Sequence, residues 1–183
     1  MKELSLHILD LAENGIAAKA SLIRILVDER NSDNRLTIEI EDNGKGIPPV
    51  ILDRITDPFV TSRTTRRVGM GLSLFKAAAE RCGGCFEIRS AQGRGTMVKG
   101  VFQYDHIDRA PVGDMASTLV SLIAGYPEID IDYTHMYDGR DFTFDTREIR
   151  MELDGVPLNE PAVLQHLKQA IKEQLDHIMN SRP

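Results

Sequence analysis

The positions of the apolar residues predict an alternation of helices and strands in the first hundred residues. Apolar residues recur at helical spacing from residue 2 to 18. Every second residue from Leu36 to Ile40 is apolar, which is typical of a half-buried strand. A predicted helix at 71–82 is followed by strands at about 85–90 and 96–102. This mixture of elements around one core predicts an α/β fold.

Beyond residue 105 the pattern predicts a second, smaller unit. Residues 105–111 are polar and end in proline, as in a linker. The predicted elements that follow are a helix at 115–124, strands at 129–136 and 141–146 joined by Asp138-Gly139, a short helix at about 147–153 and a long helix from Asn159 to about 179. We therefore expect one domain at residues 1–105 and a small α+β appendage of unknown role at 112–183.

The long C-terminal helix has an apolar stripe that must be covered. Its members are Val163, Leu164, Leu167, Ile171, Leu175 and Ile178. Such a stripe most often packs on its own domain. Otherwise it is a docking face for a partner protein or for a second copy of the chain.

Composition favours a compact protein that works in the cytoplasm. The 183 residues, 42% of them hydrophobic, are enough to bury one good core. We find no signal peptide and no apolar run of about 18 residues, so we expect neither export nor a membrane span. The net charge of −6 argues against nonspecific binding to nucleic acid.

An acidic residue followed by two glycines ends the predicted strand. The carboxylate of Asp42 can accept a hydrogen bond from the exocyclic amine of a purine. Gly44 and Gly46 let the backbone approach a flat ring without a Cβ in the way. Asp-Asn-Gly is also a common turn, so this segment alone leaves both interpretations open.

A second polar pair lies on the first predicted helix. Asp10 and Asn14 are four residues apart, which places both side chains on one helix face. A carboxylate beside a carboxamide can orient an attacking water and bind Mg²⁺ through oxygen. The alternative is a solvated polar face, the more common meaning of an isolated Asp/Asn pair.

Two further glycine segments follow downstream. Gly69 and Gly71 open a predicted helix, where free N–H groups and the helix dipole favour phosphate. Gly93-Arg94-Gly95-Thr96 lies between two predicted strands. The simpler interpretations are a glycine-containing helix start and a plain hairpin turn.

In order and spacing these segments resemble the GHKL superfamily of Bergerat-fold ATPases, which includes gyrase-type topoisomerases, heat-shock chaperones, histidine kinases and MutL. Asp10 and Asn14 resemble the N box, Asp42–Gly46 the first glycine box and Pro58-Phe59 the F box. The resemblance runs from about residue 3 to 102 and is greatest to the catalytic domain of histidine kinases. It implies that the first domain is a two-layer α/β sandwich.

The resemblance also implies ATP and Mg²⁺ as cofactors. Asp10 would be the catalytic base that activates water, Asn14 would bind the metal, and Asp42 would recognise adenine. The residues that it assigns to ATP are Asn14, Asp42, Gly44, Gly46, Ile47, Phe59, Arg63, Gly69, Met70, Gly71, Leu72 and Thr96.

The chain departs from the family pattern in several respects. Asp10 is one methylene shorter than the glutamate of many relatives, and Arg67 stands where a further lid glycine would fall. Only about nine residues precede Asp10, so we do not expect the phosphoacceptor hairpin of histidine kinases in this polypeptide. His7 could accept phosphate instead, but a partly exposed helix residue is the more ordinary interpretation.

These features lead us to expect a stand-alone ATPase or kinase that acts on a separate partner protein through its C-terminal region. The alternatives are a non-hydrolysing, ATP-gated regulatory subunit and an anti-sigma-type serine kinase. Whether the chain is an enzyme is left open. We expect no nucleic-acid or membrane partner, and a homodimer is compatible with the apolar stripe.

Cys82 and Cys85 form a CxxC motif at the end of the predicted helix at 71–82. Such a motif indicates redox chemistry or half of a zinc site. The negative end of the helix dipole disfavours a thiolate, however, and no second CxxC supplies further zinc ligands. The simpler interpretation is a pair of small apolar residues on either side of a helix C-cap.

Overall fold

The computed structural model describes residues 2–55 and 70–180. Its helices and strands, in chain order, are α1 (Leu4–Ala17), β1 (Leu22–Arg30), β2 (Arg35–Asp42), α2 (Pro49–Ile55), α3 (Met70–Arg81), β3 (Cys85–Ala91), β4 (Gly95–Gln103), α4 (Met115–Gly125), β5 (Asp130–Tyr137), β6 (Arg140–Asp145), α5 (Thr146–Glu152) and α6 (Pro161–Asn180). The strands form one mixed sheet in the order β3-β4-β2-β1-β5-β6. The expected α/β fold is confirmed.

The two faces of the sheet have different environments. On the inner face, alternate residues of β1 and β2, such as Ile25 and Ile38, are almost completely buried beneath the helices. On the outer face, Arg24 of β1 pairs with Glu41 of β2 and Asp132 of β5. The period of two in the sequence therefore follows from burial of one face and hydration of the other.

Most predicted elements agree with the structure to within about two residues, but β1 and α2 were not predicted. β1 is the strand between β2 and β5, so it has a neighbour on each side. Leu22 and Leu26, on its outer face, are partly buried as well. Because both faces bear apolar residues, β1 lacks the simple alternation by which β2 was identified.

The predicted C-terminal unit extends the sheet of the first unit. β5 pairs in parallel with β1, placing Ile131 beside Ile23. The segment before α4 is held to the N-terminus, because the N–H groups of Leu4 and Ser5 donate to the carbonyls of Pro111 and Val112. Both units share one hydrophobic core. Whether residues 1–105 fold and bind nucleotide alone stays a prediction.

The apolar stripe of α6 is covered by the chain itself. Leu167, Ile171, Leu175 and Ile178 are buried, and α6 packs against α4 and the C-terminal strands. The expectation that the stripe packs on its own unit is therefore confirmed for these four residues, while Val163 and Leu164 are partly buried. No helix in residues 2–55 and 70–180 is long and apolar enough to cross a membrane.

The two cysteines of the CxxC motif are free thiols in different environments. Cys82 is buried at the end of α3, and burial raises the pKa of its thiol. Cys85 is exposed at the start of β3. In the part of the chain that the structure describes, no three His, Cys, Asp or Glu side chains are grouped as metal ligands. A C-cap with flanking thiols remains the simplest interpretation.

His7 is buried rather than partly exposed, which corrects the expectation from the sequence. Only 4% of its surface is accessible, and its ring lies 5.8 Å from that of Phe75. Nδ1 has no hydrogen-bond partner among the described residues. Burial lowers the pKa of His7 to about 4 from its ordinary value of 6.5. A side chain in this position is not accessible for accepting phosphate from ATP.

His7 is expected to make folding stability depend on pH. Between pH 6.5 and about 4 the unfolded chain binds a proton at this residue and the folded chain does not. Stability is therefore lost as pH falls, by up to about 3 kcal/mol. Urea unfolding from pH 7.5 to 4.5 should show a shallower pH dependence for His7→Leu, while His166→Gln, at an exposed site, should follow the parent. Parallel curves for His7→Leu and the parent would exclude this role.

Candidate functional site

The start of α3 lies against the polar face of α1. A Cβ placed on Gly71 would be 3.4 Å from Cβ of Asp10 and 3.6 Å from Nδ2 of Asn14. The first turn of a helix has N–H groups without partners inside the helix, and they carry its positive partial charge. Oxygen-bearing side chains and an electropositive helix end thus occupy one region.

Asp42 is the last residue of β2 and lies beside α1. Its Oδ1 accepts a hydrogen bond of 2.8 Å from the N–H of Gly44, and Thr96 of β4 is its partner in the strand register. Burial raises the pKa of Asp42, backbone hydrogen bonds from Gly44 and Thr96 partly offset this effect, and the charge of Glu41 adds to it. The carboxylate is therefore half-buried, anchored and easier to protonate than an ordinary aspartate.

Gly15 brings α1 into direct contact with Asp42. A Cβ on Gly15 would be 2.7 Å from Cβ of Asp42 and 2.7 Å from Cδ1 of Ile23. Such distances are too short for ordinary carbon contacts. Only glycine at this position lets α1, which carries Asp10 and Asn14, come so close to the end of β2. Gly15 was not predicted as a site residue, although a glycine inside a helix can mark a position of close packing.

The glycines of the loops are required by contacts within the protein. Gly46 has φ +67°, and a Cβ there would be 2.1 Å from the carbonyl oxygen of Ala91. Gly95 has φ +89°, and its Cβ would be 1.8 Å from the carbonyl oxygen of Asp42. We had expected Gly46 to make room for a ring. In the structure it makes room for a neighbouring backbone, which holds the two loops together.

Ser90 joins the two loops and was not predicted. Its Oγ accepts a hydrogen bond of 2.8 Å from the N–H of Ile47 and donates to the carbonyl of Gly95 at 2.9 Å. Oγ1 of Thr96 is also 2.9 Å from this atom. The Thr96 hydroxyl is therefore part of an internal network. A single serine in a strand provides no signal in the sequence by which this role could have been found.

The other predicted site residues have varied positions. Leu72 is 3% exposed, so its side chain contributes to the core, and Ile47 is half-buried. Met70 is the first residue of α3. Phe59, Arg63 and Gly69 lie outside the described residues. The structure thus places both the start of α3 and Asp42 against α1, the helix that carries Asp10 and Asn14.

The polar atoms of this region fit a magnesium-bound phosphate. Asp10 and Asn14 offer oxygen ligands, which Mg²⁺ prefers, and Mg²⁺ usually binds few protein groups and obtains the rest of its shell from phosphate and water. Asn14 alone would then suffice as a protein ligand. The N–H groups at the start of the nearby helix can donate hydrogen bonds to the phosphate oxygens.

Comparison with known proteins finds relatives of the first part of the chain. The family model described as histidine kinase-, DNA gyrase B- and HSP90-like ATPase matches residues 2–105. Sporulation kinase D of Bacillus subtilis is 35% identical over 91 residues, which cover 50% of this chain and 18% of that protein. The alginate biosynthesis sensor protein KinB of Pseudomonas aeruginosa is 36% identical over 87 residues, or 47% and 15% of the two chains. The chain thus spans less than a fifth of these relatives.

A solved structure shares the fold over a longer part of the chain. It is a crystal structure of the N-terminal domain of a DNA repair protein, with a TM-score of 0.52 and 17% identity. The likeness covers 78% of this chain and 52% of that one. Residues 2–105 cannot supply 78% of the chain, so the shared fold includes part of the C-terminal region.

Replacement of Gly15 should disturb the site despite favouring the helix. Gly→Ala inside a helix ordinarily stabilises by about 1 kcal/mol. At Gly15 the new methyl group would clash with Asp42, so Gly15→Ala should lower the melting temperature and weaken nucleotide binding in calorimetry.

Gly125→Ala is the matched control. Gly125 ends α4, and a Cβ there would have no atom within 4 Å. This variant should be as stable as the parent and bind nucleotide equally. If Gly15→Ala behaved like Gly125→Ala, the contact between α1 and Asp42 would not constrain the site.

Proposed function

The chain belongs to the family of histidine kinase-, DNA gyrase B- and HSP90-like ATPases, and on this basis we propose that it binds Mg·ATP and acts as an ATPase or kinase on a separate partner protein in the cytoplasm. The family model matches residues 2–105, which supports an ATPase domain in that part of the chain. The C-terminal region would direct this activity to the partner. Homodimer formation is a further possibility for this region.

One observation supports this proposal more strongly than the other observations do. Asp10, Asn14 and Gly71 meet at one junction, and Gly15 brings this junction against Asp42. An adenine-recognising carboxylate and a phosphate-binding helix start would thus lie at the two ends of one short stretch of surface. A nucleotide has a matching order of groups, with a base at one end and phosphates at the other.

Asp42 would select the base. A carboxylate can accept hydrogen bonds but cannot donate them, so a carboxylate that faces C6 of the purine matches the amine of adenine there and not the carbonyl oxygen of guanine. The N–H of Gly44 holds Oδ1 at 2.8 Å and fixes the orientation of the side chain. Partial burial removes competing water, which strengthens the remaining hydrogen bond.

Asp10 and Asn14 would act at the phosphates. The bound metal would neutralise phosphate charge and polarise the terminal phosphoryl group. Asn14 would hold it through the carboxamide oxygen, while the carboxylate of Asp10 would orient a water or a hydroxyl group of the partner. Because Asp10 is shorter than the glutamate of many relatives, we expect slow hydrolysis. A nucleotide-gated regulatory subunit is the second candidate, and a serine kinase of the anti-sigma type is a third.

Asp42→Asn should weaken ATP binding by about ten- to hundredfold, because a charge-assisted hydrogen bond contributes about 1.5–3 kcal/mol. It should also reduce the preference for ATP over GTP in calorimetry. The parent should lose affinity as pH falls towards the raised pKa of Asp42, since the carboxylate is the binding form.

The control for this variant is Asp33→Asn, which removes a charge from an exposed turn between β1 and β2. It should bind ATP as the parent does and keep the same pH dependence. Equal affinity of the parent for ATP and GTP, or normal ATP binding by Asp42→Asn, would exclude recognition of adenine by Asp42.

Substitutions of the two polar residues of α1 should have different effects on ATP binding and on ATP turnover. Asp10→Asn should lower the rate of phosphate release and leave ATP affinity nearly intact, because it removes a base and keeps the shape. Asn14→Ala should weaken binding only when Mg²⁺ is present. A parent that binds ATP but neither releases phosphate nor labels any protein would favour the regulatory subunit.

A further inference from the structure

An apolar groove with an acidic border lies at the far edge of the sheet from β3. It encloses about 590 Å³ between α5 and α6, with β6 as its floor. The apolar lining includes Phe142, Phe144, Ile149, Leu153, Val163 and Leu167. β6 is the last strand of the sheet, so no further strand covers this side within the described residues.

Charge on the border of the groove is negative on one side. Glu148 and Glu152 of α5 are exposed, one helical turn apart, and line the groove. Neither forms an ion pair within residues 2–55 and 70–180. The cations of α5 are engaged elsewhere, because Arg147 pairs with Asp132 and Asp145 while Arg150 pairs with Asp130.

The cations of α6 do not compensate for these carboxylates. The positive charges of Lys168 and Lys172 interact electrostatically with the carboxyl of Asp114, at the start of α4. The residues by which α6 faces the groove are apolar or small, apart from His166. Ala162 and Ala170 are two helical turns apart along this side, and they leave room for another backbone to approach.

We propose that this groove binds a basic amphipathic helix of a partner protein. The apolar face of that helix would cover Phe142 and Val163, and its Lys or Arg residues would pair with Glu148 and Glu152. A helix fits because the groove lies between two helices on the inner side of the sheet, where it would continue the helical layer. This inference rests on the proposal of a protein partner and is independent of the nucleotide site.

A second copy of the chain is a poorer occupant. In antiparallel pairing of two β6 strands centred on Thr143, Asp141 of each copy would face Asp145 of the other. Like charges in that position are destabilising, and each copy carries a net charge of −6. The long helices α1 and α6 already bury their apolar faces within their own chain.

Fluorescence anisotropy with a labelled helical peptide of roughly 18 residues, built from Leu and Lys, tests the groove in the full-length protein. The parent should bind it, and the corresponding Leu/Glu peptide should not bind. Glu148→Gln with Glu152→Gln should weaken binding about tenfold, as expected for two partly screened ion pairs. Ala170→Trp should abolish binding by filling the groove.

The matched control is Glu80→Gln with Glu128→Gln, which removes the same charge at two exposed sites that do not line the groove. It should bind the Leu/Lys peptide within about twofold of the parent, a difference below 0.5 kcal/mol. All these variants should bind ATP with unchanged affinity, which separates a failure of the groove from a failure of the nucleotide site.

Several results would overturn the proposal. The first is a parent that does not bind the Leu/Lys peptide. The second is equal weakening by both pairs of Glu→Gln substitutions, since the attraction would then come from the overall charge. The third is unaltered binding by a folded Ala170→Trp protein. A dimer in sedimentation velocity that Ala170→Trp dissociates would instead assign the groove to a second copy.

Discussion

The contact between α1 and the end of β2 is the constraint on which the candidate site depends. Gly15 has no side chain, so the helix that carries Asp10 and Asn14 can lie directly on Asp42. An added Cβ would have to overlap Asp42, and α1 would move outward with both polar residues. The relative position of the proposed adenine and metal groups is therefore set by packing between a helix and a strand.

The loops around this contact are held by backbone geometry and one serine. Gly46 and Gly95 adopt positive φ angles in which the backbone of one loop touches that of the other. Ser90 adds hydrogen bonds to both loops. These interactions all join protein groups, so they fix the orientation of Asp42 without help from a ligand. Such preorganisation reduces the entropy lost on binding.

The sequence predicted the fold better than the detailed site. Local periodicity was enough for β2 and α6, which each bury one face, but not for β1, which has apolar residues on both faces. Spacing left two interpretations open for Asp10, Asn14 and Asp42, and only the resemblance to a family assigned roles to them. Gly15 and Ser90 were not predicted as site residues because their contacts join residues that are distant in the sequence. His7 looked accessible because helical spacing does not show how deeply a neighbour such as Phe75 covers a side chain.

Hydrogen–deuterium exchange of the full-length protein, with and without Mg·ATP, tests most directly whether the nucleotide binds at the junction of α1, β2 and α3. We expect slower exchange at residues 10–15, 42–47 and 70–74 when Mg·ATP is bound, and unchanged exchange in β6 and α6. Unchanged exchange in the first three segments at saturating Mg·ATP, or protection confined to β6 and α6, would contradict this site.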